Sequence, residues 1–164
     1  MFLKISTCTR LSAIDHANTK FSEGYAATGI GVCVCTHHEL LMKNGVGDLQ
    51  KGKWYAFTVT SFSCRSHTYR YVNMDLIYLS VLQHYKDVDK LSTYDIMCQW
   101  LLNLLNHMLE YPKQYHIDLP AIDSLNYAIG KLHWYGHKQE DHSCYSLNWI
   151  PGVRYSDGEG IKHH

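Results

Sequence analysis

A mixed α/β domain is the fold class that three patterns in the sequence predict. Residues 28–36, TGIGVCVCT, alternate in side-chain character with the two-residue period of a β-strand. Residues 73–85 and 97–108 place apolar side chains at the three- and four-residue spacing of amphipathic helices. A domain with both kinds of element buries its core between a sheet and the helices that flank it. We therefore expect an α/β or α+β architecture.

The first strand is expected to be one arm of a hairpin. Its apolar side chains Ile30, Val32 and Val34 fall on one face. Asn44-Gly45, in LLMKNGVGDLQ, has the composition of a two-residue turn between paired strands. The sequence therefore predicts that the chain reverses at residues 44–45.

The first helix is predicted to start near Asn73, which is a candidate N-cap. Asp75 falls in its first turn, where a carboxylate interacts favourably with the positive end of the helix dipole. We therefore interpret Asp75 as a structural residue. The side chains expected on the buried face of this helix are Met74, Ile77, Tyr78, Val81, Leu82 and Tyr85.

A short β-prone run, LSTY, precedes Asp95, and a second amphipathic helix follows it. A weaker helix is predicted within residues 121–132, AIDSLNYAIGKL. From His133 onward the chain is polar, aromatic and rich in turn residues. The buried stripe expected on the second helix consists of Met97, Trp100, Leu101, Leu104, Leu105 and Met108.

Length and composition narrow the class of protein. The 164 residues suffice for one domain with a hydrophobic core, and a single domain is expected over residues 1–164. Lys plus Arg equals Asp plus Glu, at 15 each, so no basic surplus drives DNA binding by counterion release. The sequence has neither the apolar run of a secretory signal nor a stretch long enough to cross a bilayer. We expect an intracellular protein with reduced thiols, no membrane partner and no small-molecule substrate.

Cys35-x-x-His38 and His133-x-x-x-His137, with Cys144 downstream, are candidate zinc ligands. Thiolate and imidazole groups bind Zn²⁺ when the fold brings four of them together, and both short spacings suit pairs of ligands. The chain has 12 histidines, however, so such pairs also arise by chance. Ordinary polar or half-buried side chains are the competing interpretation.

Asp95 and Glu159 are the candidate catalytic pair. Carboxylates from distant points of a chain can hold Mg²⁺, which activates a water or a 3′-hydroxyl in phosphoryl transfer. Each residue also has a structural interpretation. Asp95 can be a helix-start residue on the helix dipole, and Glu159 follows the turn dipeptide Asp157-Gly158.

Five blocks carry a family resemblance in their order along the chain: HANTKFSEGYAATGIGVCVCTHHELLMKNGVGDLQKG, YVNMD, TYDIMCQW, KLHWYGHKQEDHSCYSLNWIPGV and SDGEG. Together they resemble the KDZ (Kyakuja-Dileera-Zisupton) transposases of DNA transposons that are abundant in fungal genomes. The resemblance implies an RNase H-like catalytic domain, a mixed sheet with flanking helices. A DDE triad in such a domain uses Mg²⁺ or Mn²⁺ to cleave and transfer DNA strands.

The same resemblance assigns roles to the candidate residues. Asp95 matches the aspartate of the family's YDI-C-Q block, and Glu159 matches the glutamate of its DGE block, so both are implied to be catalytic metal ligands. The implied partner is DNA. The family's CxxH and HxxxH…C strings imply a structural Zn²⁺ and coincide with Cys35, His38, His133, His137 and Cys144.

Departures from the family pattern predict a truncated domain, without the family's opening strand and closing helix. The family's first catalytic aspartate lies upstream of the ANTK block, and residues 54–71 are interpreted as an insertion foreign to the family. The sequence ends in Lys162-His163-His164, where the family has a glutamate-arginine pair. Because one of three carboxylates is missing, we expect a remnant with little or no activity and weak DNA binding. A functional copy would act in the nucleus.

The alternative function is a zinc-stabilised binding or interaction module without catalysis. In that interpretation Cys35, His38, His133 and His137 hold the fold together, and the carboxylates are incidental.

Overall fold

The computed structural model describes residues 24, 25, 27, 29–49, 72–85, 90–117, 125–137, 142–153 and 156–159. The predicted insertion at 54–71 lies outside these residues, as does the side chain of Leu105. Strands and helices both occur in the described part, which confirms the mixed α/β class. The elements are β1 (Gly29–Val34), β2 (Leu41–Leu49), α1 (Val72–Leu82), β3 (Lys90–Thr93), α2 (Met97–Glu110), β4 (Leu125–Ala128) and α3 (Lys131–Trp134), with short 3-10 turns at Lys113–Tyr115 and Ser143–Tyr145.

The described strands form two separate two-stranded sheets, where one mixed sheet was predicted. β1 and β2 pair antiparallel. β3 and β4 pair parallel, so their last residues, Thr93 and Ala128, lie side by side. Helix α1 packs against the β1–β2 hairpin and against α2, and it thereby links the two sheets. The RNase H-like arrangement stays a prediction.

The predicted hairpin forms, but its turn is not at Asn44-Gly45. The chain reverses just after Cys35, whose backbone N–H donates to the Leu40 carbonyl at 2.9 Å. Asn44 and Gly45 lie inside β2, where the register with β1 shifts. Asn44 has a φ of 60°, and a Cβ on Gly45 would lie 2.8 Å from the Cys33 carbonyl oxygen. The predicted position of the turn is wrong. The positive φ of Asn44 and the close backbone approach at Gly45 form a bulge within β2 and not a turn between two strands.

Both predicted helices form, as α1 and α2, and α2 has the predicted amphipathic pattern. Helix α1 does not, because none of its residues is exposed and Leu79, outside the predicted stripe, is only 1% exposed. Helix α1 begins at Val72, one residue before the predicted cap, so Asn73 lies within it. The core sits mainly between these helices, where the Trp100 ring meets those of Tyr78 and Tyr94 edge-on, with centroid distances of 4.9 and 5.4 Å. The buried core side chains are Tyr78, Leu79, Leu82, Met97, Cys98, Trp100, Leu104, Met108, Ile117, Leu125 and Ile129.

Asp75 lies in the first turn of α1, as predicted, but its side chain is fully buried. Its carboxylate accepts hydrogen bonds from Trp100 Nε1 at 2.5 Å, His107 Nδ1 at 2.8 Å and the Tyr111 hydroxyl at 2.8 Å. Burial raises the pKa of Asp75, and the three donors oppose that rise because they stabilise the ionised form. The helix-dipole interpretation is therefore incomplete. The hydrogen bonds of Asp75 connect α1 to α2 and to Tyr111, the residue that caps the C-terminus of α2.

The helix predicted over residues 121–132 is wrong. Residues 125–128 form β4, which pairs with β3, and the helix that follows is the single turn α3. A four-residue run such as LNYA has too short a pattern to distinguish strand from helix. Pairing with β3 decides the outcome, and that pairing is a tertiary contact which the local pattern does not contain.

The longest described helix, α2, has 14 residues. No helix in the described part of the chain combines the length and the apolar composition that crossing a membrane requires.

Candidate metal centres

The carboxyl ends of β3 and β4 define one edge at which potential metal ligands gather. Because the two strands are parallel, the residues that follow them leave the sheet on the same side. Asp95 comes two residues after the end of β3. Gly130 and the short helix α3, which contains His133, follow the end of β4. The order of the chain thus delivers Asp95 and His133 to the same edge.

The Asp157–Glu159 segment lies across this edge and is held there by hydrogen bonds to its backbone carbonyls. The Thr93 hydroxyl donates to the Gly158 carbonyl at 3.0 Å, and the Lys131 N–H donates to the Asp157 carbonyl at 2.8 Å. Gly158 has a φ of 72°, and a Cβ there would lie 2.9 Å from Thr93 Cγ2. Glycine at position 158 therefore serves both a left-handed conformation and a close approach to β3. The segment delivers Glu159 to the ends of both strands.

Asp95, His133 and Glu159 form the first candidate centre. One ligand atom from each lies within 4.8 Å of the others. His133 Nε2 is 3.3 Å from Asp95 Oδ2. The Asp95 side chain is 46% exposed, whereas Glu159 is only 7% exposed and rests on Gly130, where an added Cβ would overlap its carboxylate. The centre therefore has one solvent-facing carboxylate and one held in place by the fold.

The structure thus brings Asp95 and Glu159 together, although they are far apart in the sequence. Their catalytic roles stay a prediction. Sequence reasoning did not place His133 with them, because its four-residue spacing from His137 suggested a zinc pair. The signal that could have placed His133 was its position in the short helix that follows β4, the strand parallel to the one before Asp95. The sequence pattern instead suggested a helix where β4 lies.

Cys98, His137 and His142 form the second candidate centre, again with ligand atoms within 4.8 Å of one another. Cys98 and His137 are almost fully buried, at 5% and 4% exposure, and His142 is half-buried. Cys98 Sγ lies 3.5 Å from His137 Nδ1. Burial lowers the pKa of His137, because it disfavours the charged imidazolium. Neither Cys98 nor His142 was among the predicted ligands.

The predicted zinc set is not gathered in one place in the described residues. Cys35 and His38 lie together in the hairpin turn, with Sγ to Nδ1 at 3.3 Å, and join neither centre. Cys144 is exposed in a 3-10 turn. His133 and His137 separate because α3 ends at Trp134, so the two rings no longer share a helical face. His133 therefore lies in the first centre and His137 in the second.

Cys35 is expected to be the more reactive of the two hairpin thiols. The hydrogen bond from His38 lowers the pKa of Cys35 below 9.0, whereas burial raises the pKa of Cys33 to about 11. At pH 7.5 a larger fraction of Cys35 is therefore thiolate, which is the nucleophilic form. Iodoacetamide labelling followed by peptide mass spectrometry should modify Cys35 well before Cys33. In His38→Ala the Cys35 rate at this pH should fall, and equal rates in the two proteins would contradict the prediction.

The donor atoms of the first centre suit a hard or borderline divalent cation. Two carboxylates and one imidazole are offered there, and no thiol of the described residues takes part. Carboxylate oxygens suit Mg²⁺ and Mn²⁺, and an imidazole shifts the preference toward transition metals. The Glu159 carboxylate packs directly against the Gly130 backbone and occupies the space that a Cβ at position 130 would take.

The family model of the Kyakuja-Dileera-Zisupton (KDZ) transposase matches residues 3–164, which is nearly the whole chain. No curated protein and no solved structure matches the chain.

Proposed function

Since the chain belongs to the KDZ transposase family, we propose that it is a remnant of a DDE-type catalytic domain for DNA strand cleavage and transfer. Asp95 and Glu159 are the retained carboxylates in this proposal, and Mn²⁺ or Mg²⁺ is the cofactor. The observation that carries the proposal is their convergence at the carboxyl ends of two parallel strands. Ligands in α/β sheets commonly bind at this edge. An RNase H-like arrangement of the sheet and helices is part of the same proposal.

The chain's own residues have distinct tasks in such a centre. Glu159 is positioned by Gly130 beneath it and by the hydrogen bond that the Thr93 hydroxyl donates to the Gly158 carbonyl. Asp95, being partly exposed, is the carboxylate that DNA can approach, and His133 holds its Oδ2 at 3.3 Å. A bound divalent cation would supply Lewis-acid stabilisation of the phosphate oxygens.

Mn²⁺ is expected to bind this centre more tightly than Mg²⁺. Mg²⁺ prefers oxygen ligands and retains much of its water, so an imidazole at the centre contributes little to its binding. Mn²⁺ accepts both carboxylate and imidazole ligands and lies below the later transition metals in affinity. The choice of metal therefore follows from His133.

Catalysis is expected to be slow. Two adjacent divalent cations need several anionic oxygens to offset their repulsion, and the described centre offers two carboxylates. DNA affinity is expected to be weak as well, because the net charge of the whole chain is zero. Metal binding is therefore a more sensitive measure of the site than strand cleavage.

Neutralising either carboxylate should weaken Mn²⁺ binding. Asp95→Asn and Glu159→Gln each keep the shape of the side chain but remove its negative charge. We therefore expect the Kd for Mn²⁺ to rise in each by at least as much as on loss of a supporting contact, roughly 10–100-fold. Electron paramagnetic resonance of free Mn²⁺ measures this change directly. Nicking of supercoiled plasmid by the wild-type chain, if it is observed, should decline in the same two variants.

A matched control is Asp48→Asn, which makes the same change at an exposed position of β2. It should leave Mn²⁺ binding unchanged. The proposal would be contradicted by a wild-type protein that binds no Mn²⁺, by unchanged affinity in both site variants, or by nicking that persists in both.

A zinc-stabilised interaction module without catalysis is the second candidate function. The centre formed by Cys98, His137 and His142 favours it. Retained zinc in a protein that binds no Mn²⁺ would support this candidate over the first.

A further inference from the structure

The centre at Cys98 lies apart from the proposed catalytic residues and uses different donor chemistry. It joins the start of α2 to the segment after α3 and to His142, just before the 3-10 turn Ser143–Tyr145. Cys98 and His137 are buried, and burying polar side chains costs free energy unless they bind a partner. We propose that Cys98, His137 and His142 form a structural Zn²⁺ site.

The hydrogen bond of His137 orients the ring for metal binding. His137 Nε2 lies 2.8 Å from the backbone carbonyl oxygen of Asp95. A carbonyl oxygen only accepts hydrogen bonds, so Nε2 carries the proton and Nδ1 presents its lone pair. That lone pair faces Cys98 Sγ at 3.5 Å. Metal-binding histidines usually donate their other N–H to a carbonyl or carboxylate in this way.

The arrangement of His142 completes a set of three. Its ring centroid lies 5.6 Å from that of His137, with the planes inclined at 48°. This is a tilted arrangement that leaves a nitrogen of each ring near the thiol, and the three ligand atoms lie within 4.8 Å of one another. In tetrahedral zinc sites the Zn–S and Zn–N distances are about 2.3 and 2.0–2.1 Å, so ligand atoms sit roughly 3.3–3.8 Å apart. Cys98 Sγ and His137 Nδ1, at 3.5 Å, already lie within that range, and a ligand nitrogen of His142 lies within 4.8 Å of both.

The donor atoms select the metal. One thiolate and two imidazoles suit Zn²⁺, whereas Mg²⁺ and Mn²⁺ prefer carboxylate oxygens. The first centre has the opposite composition, with two carboxylates and no described thiol. Only the second centre offers a thiolate, so a signal specific to metal–thiolate bonding tests it without the first.

A structural role follows from what the ligands connect. His137 holds the Asp95 carbonyl, so a metal on His137 would fix the loop between β3 and α2. It would also attach the segment after α3 to the core through Cys98. A sulfur–nitrogen hydrogen bond between a neutral Cys98 and His137, with no metal, is the competing explanation for the same geometry.

Co²⁺ substitution separates these explanations in the full chain. A thiolate bound to Co²⁺ gives a charge-transfer band in the near ultraviolet, which a carboxylate–imidazole centre does not give. We expect the wild-type protein, stripped of metal and titrated with Co²⁺, to show this band at one equivalent. Excess Zn²⁺ should abolish it. Cys98→Ser should lose the band, and His142→Gln should weaken Co²⁺ binding at least tenfold.

Two control proteins exclude the other candidate sites. Cys35→Ser combined with Cys144→Ser removes the exposed thiols of the zinc set expected from the sequence, and it should keep the band. Asp95→Asn combined with Glu159→Gln should also keep it, which shows that the zinc site does not depend on the proposed catalytic function. The proposal is overturned if the wild type shows no thiolate band, if Cys98→Ser keeps it, or if the Cys35 and Cys144 variant loses it.

Because Cys98 is buried, Cys98→Ser can also lose the band by unfolding. Circular dichroism of each apo variant identifies that case, and His142→Gln then decides the question because His142 is half-buried. Unchanged Co²⁺ affinity in a folded His142→Gln protein would overturn the proposal. Zn²⁺ should raise the thermal midpoint of the wild type by more than it raises that of His142→Gln.

Discussion

Asp75→Ala is expected to lower the free energy of unfolding by about 3–5 kcal/mol, which is what breaking a buried charged hydrogen-bonded group typically costs. The Asp75 carboxylate is fully buried and accepts hydrogen bonds from Trp100, His107 and Tyr111. Alanine would leave all three donors unsatisfied inside the protein. Urea denaturation followed by tryptophan fluorescence measures the loss. A loss of this size is comparable to the whole stability of a small domain.

Two further variants separate the hydrogen bonds from the packing. Tyr111→Phe removes one donor and keeps the ring, so we expect a loss of about 1–2 kcal/mol. Asp48→Ala, at an exposed position of β2, should change stability very little. A value for Asp75→Ala within about 1 kcal/mol of the wild type would contradict the view that this carboxylate joins α1 to α2.

The helices could be predicted from the sequence because their information is local. In α2 the apolar spacing alone shows which side is buried, and the predicted residues Trp100, Leu104 and Met108 are all in the core. In α1 the spacing predicts the helix but not its surroundings, since none of its residues is exposed. The same local pattern predicted a structural role for Asp75 on the helix dipole, but not its burial or its hydrogen-bond partners. Its three partners lie on or just beyond α2, so no local pattern contains them.

The hairpin turn and β4 show where local patterns are insufficient. Asn44-Gly45 has turn chemistry, but the same backbone freedom serves a bulge when the strands continue past it. LNYA becomes a strand because β3 offers a parallel partner. Both errors arise from interactions between segments that are distant in the sequence.

The candidate site was predictable only in part. The pairing of Asp95 with Glu159 was expected from the resemblance to a family rather than from spacing, and the structure places the two residues together. The division of His133 and His137 between two centres depends on the end of α3 at Trp134. The contribution of Cys98 depends on the burial of a residue outside the apolar stripe of α2. Neither feature has a signature in the order of residues.

Gly130→Ala is expected to weaken Mn²⁺ binding by roughly 10–100-fold, the range typical when the support of a metal ligand is removed. An added Cβ at this position would overlap the Glu159 carboxylate. The backbone of Gly130 has φ −58° and ψ 146°, which alanine adopts without strain. The expected effect is therefore steric, and it acts on the position of Glu159. Electron paramagnetic resonance of Mn²⁺ is again the measurement.

The control for this substitution is Gly29→Ala at the start of β1. There an added Cβ would meet only Leu49 side-chain atoms at 3.8 Å, an ordinary contact distance. The two variants make the same chemical change, so any shared loss reflects the general cost of replacing glycine. If Gly130→Ala stays folded and binds Mn²⁺ as tightly as Gly29→Ala, Glu159 is not a ligand held in place by the edge of this sheet. The proposed role of Glu159 would then have to be abandoned, whereas the zinc site at Cys98 would be unaffected because it shares no ligand with this centre.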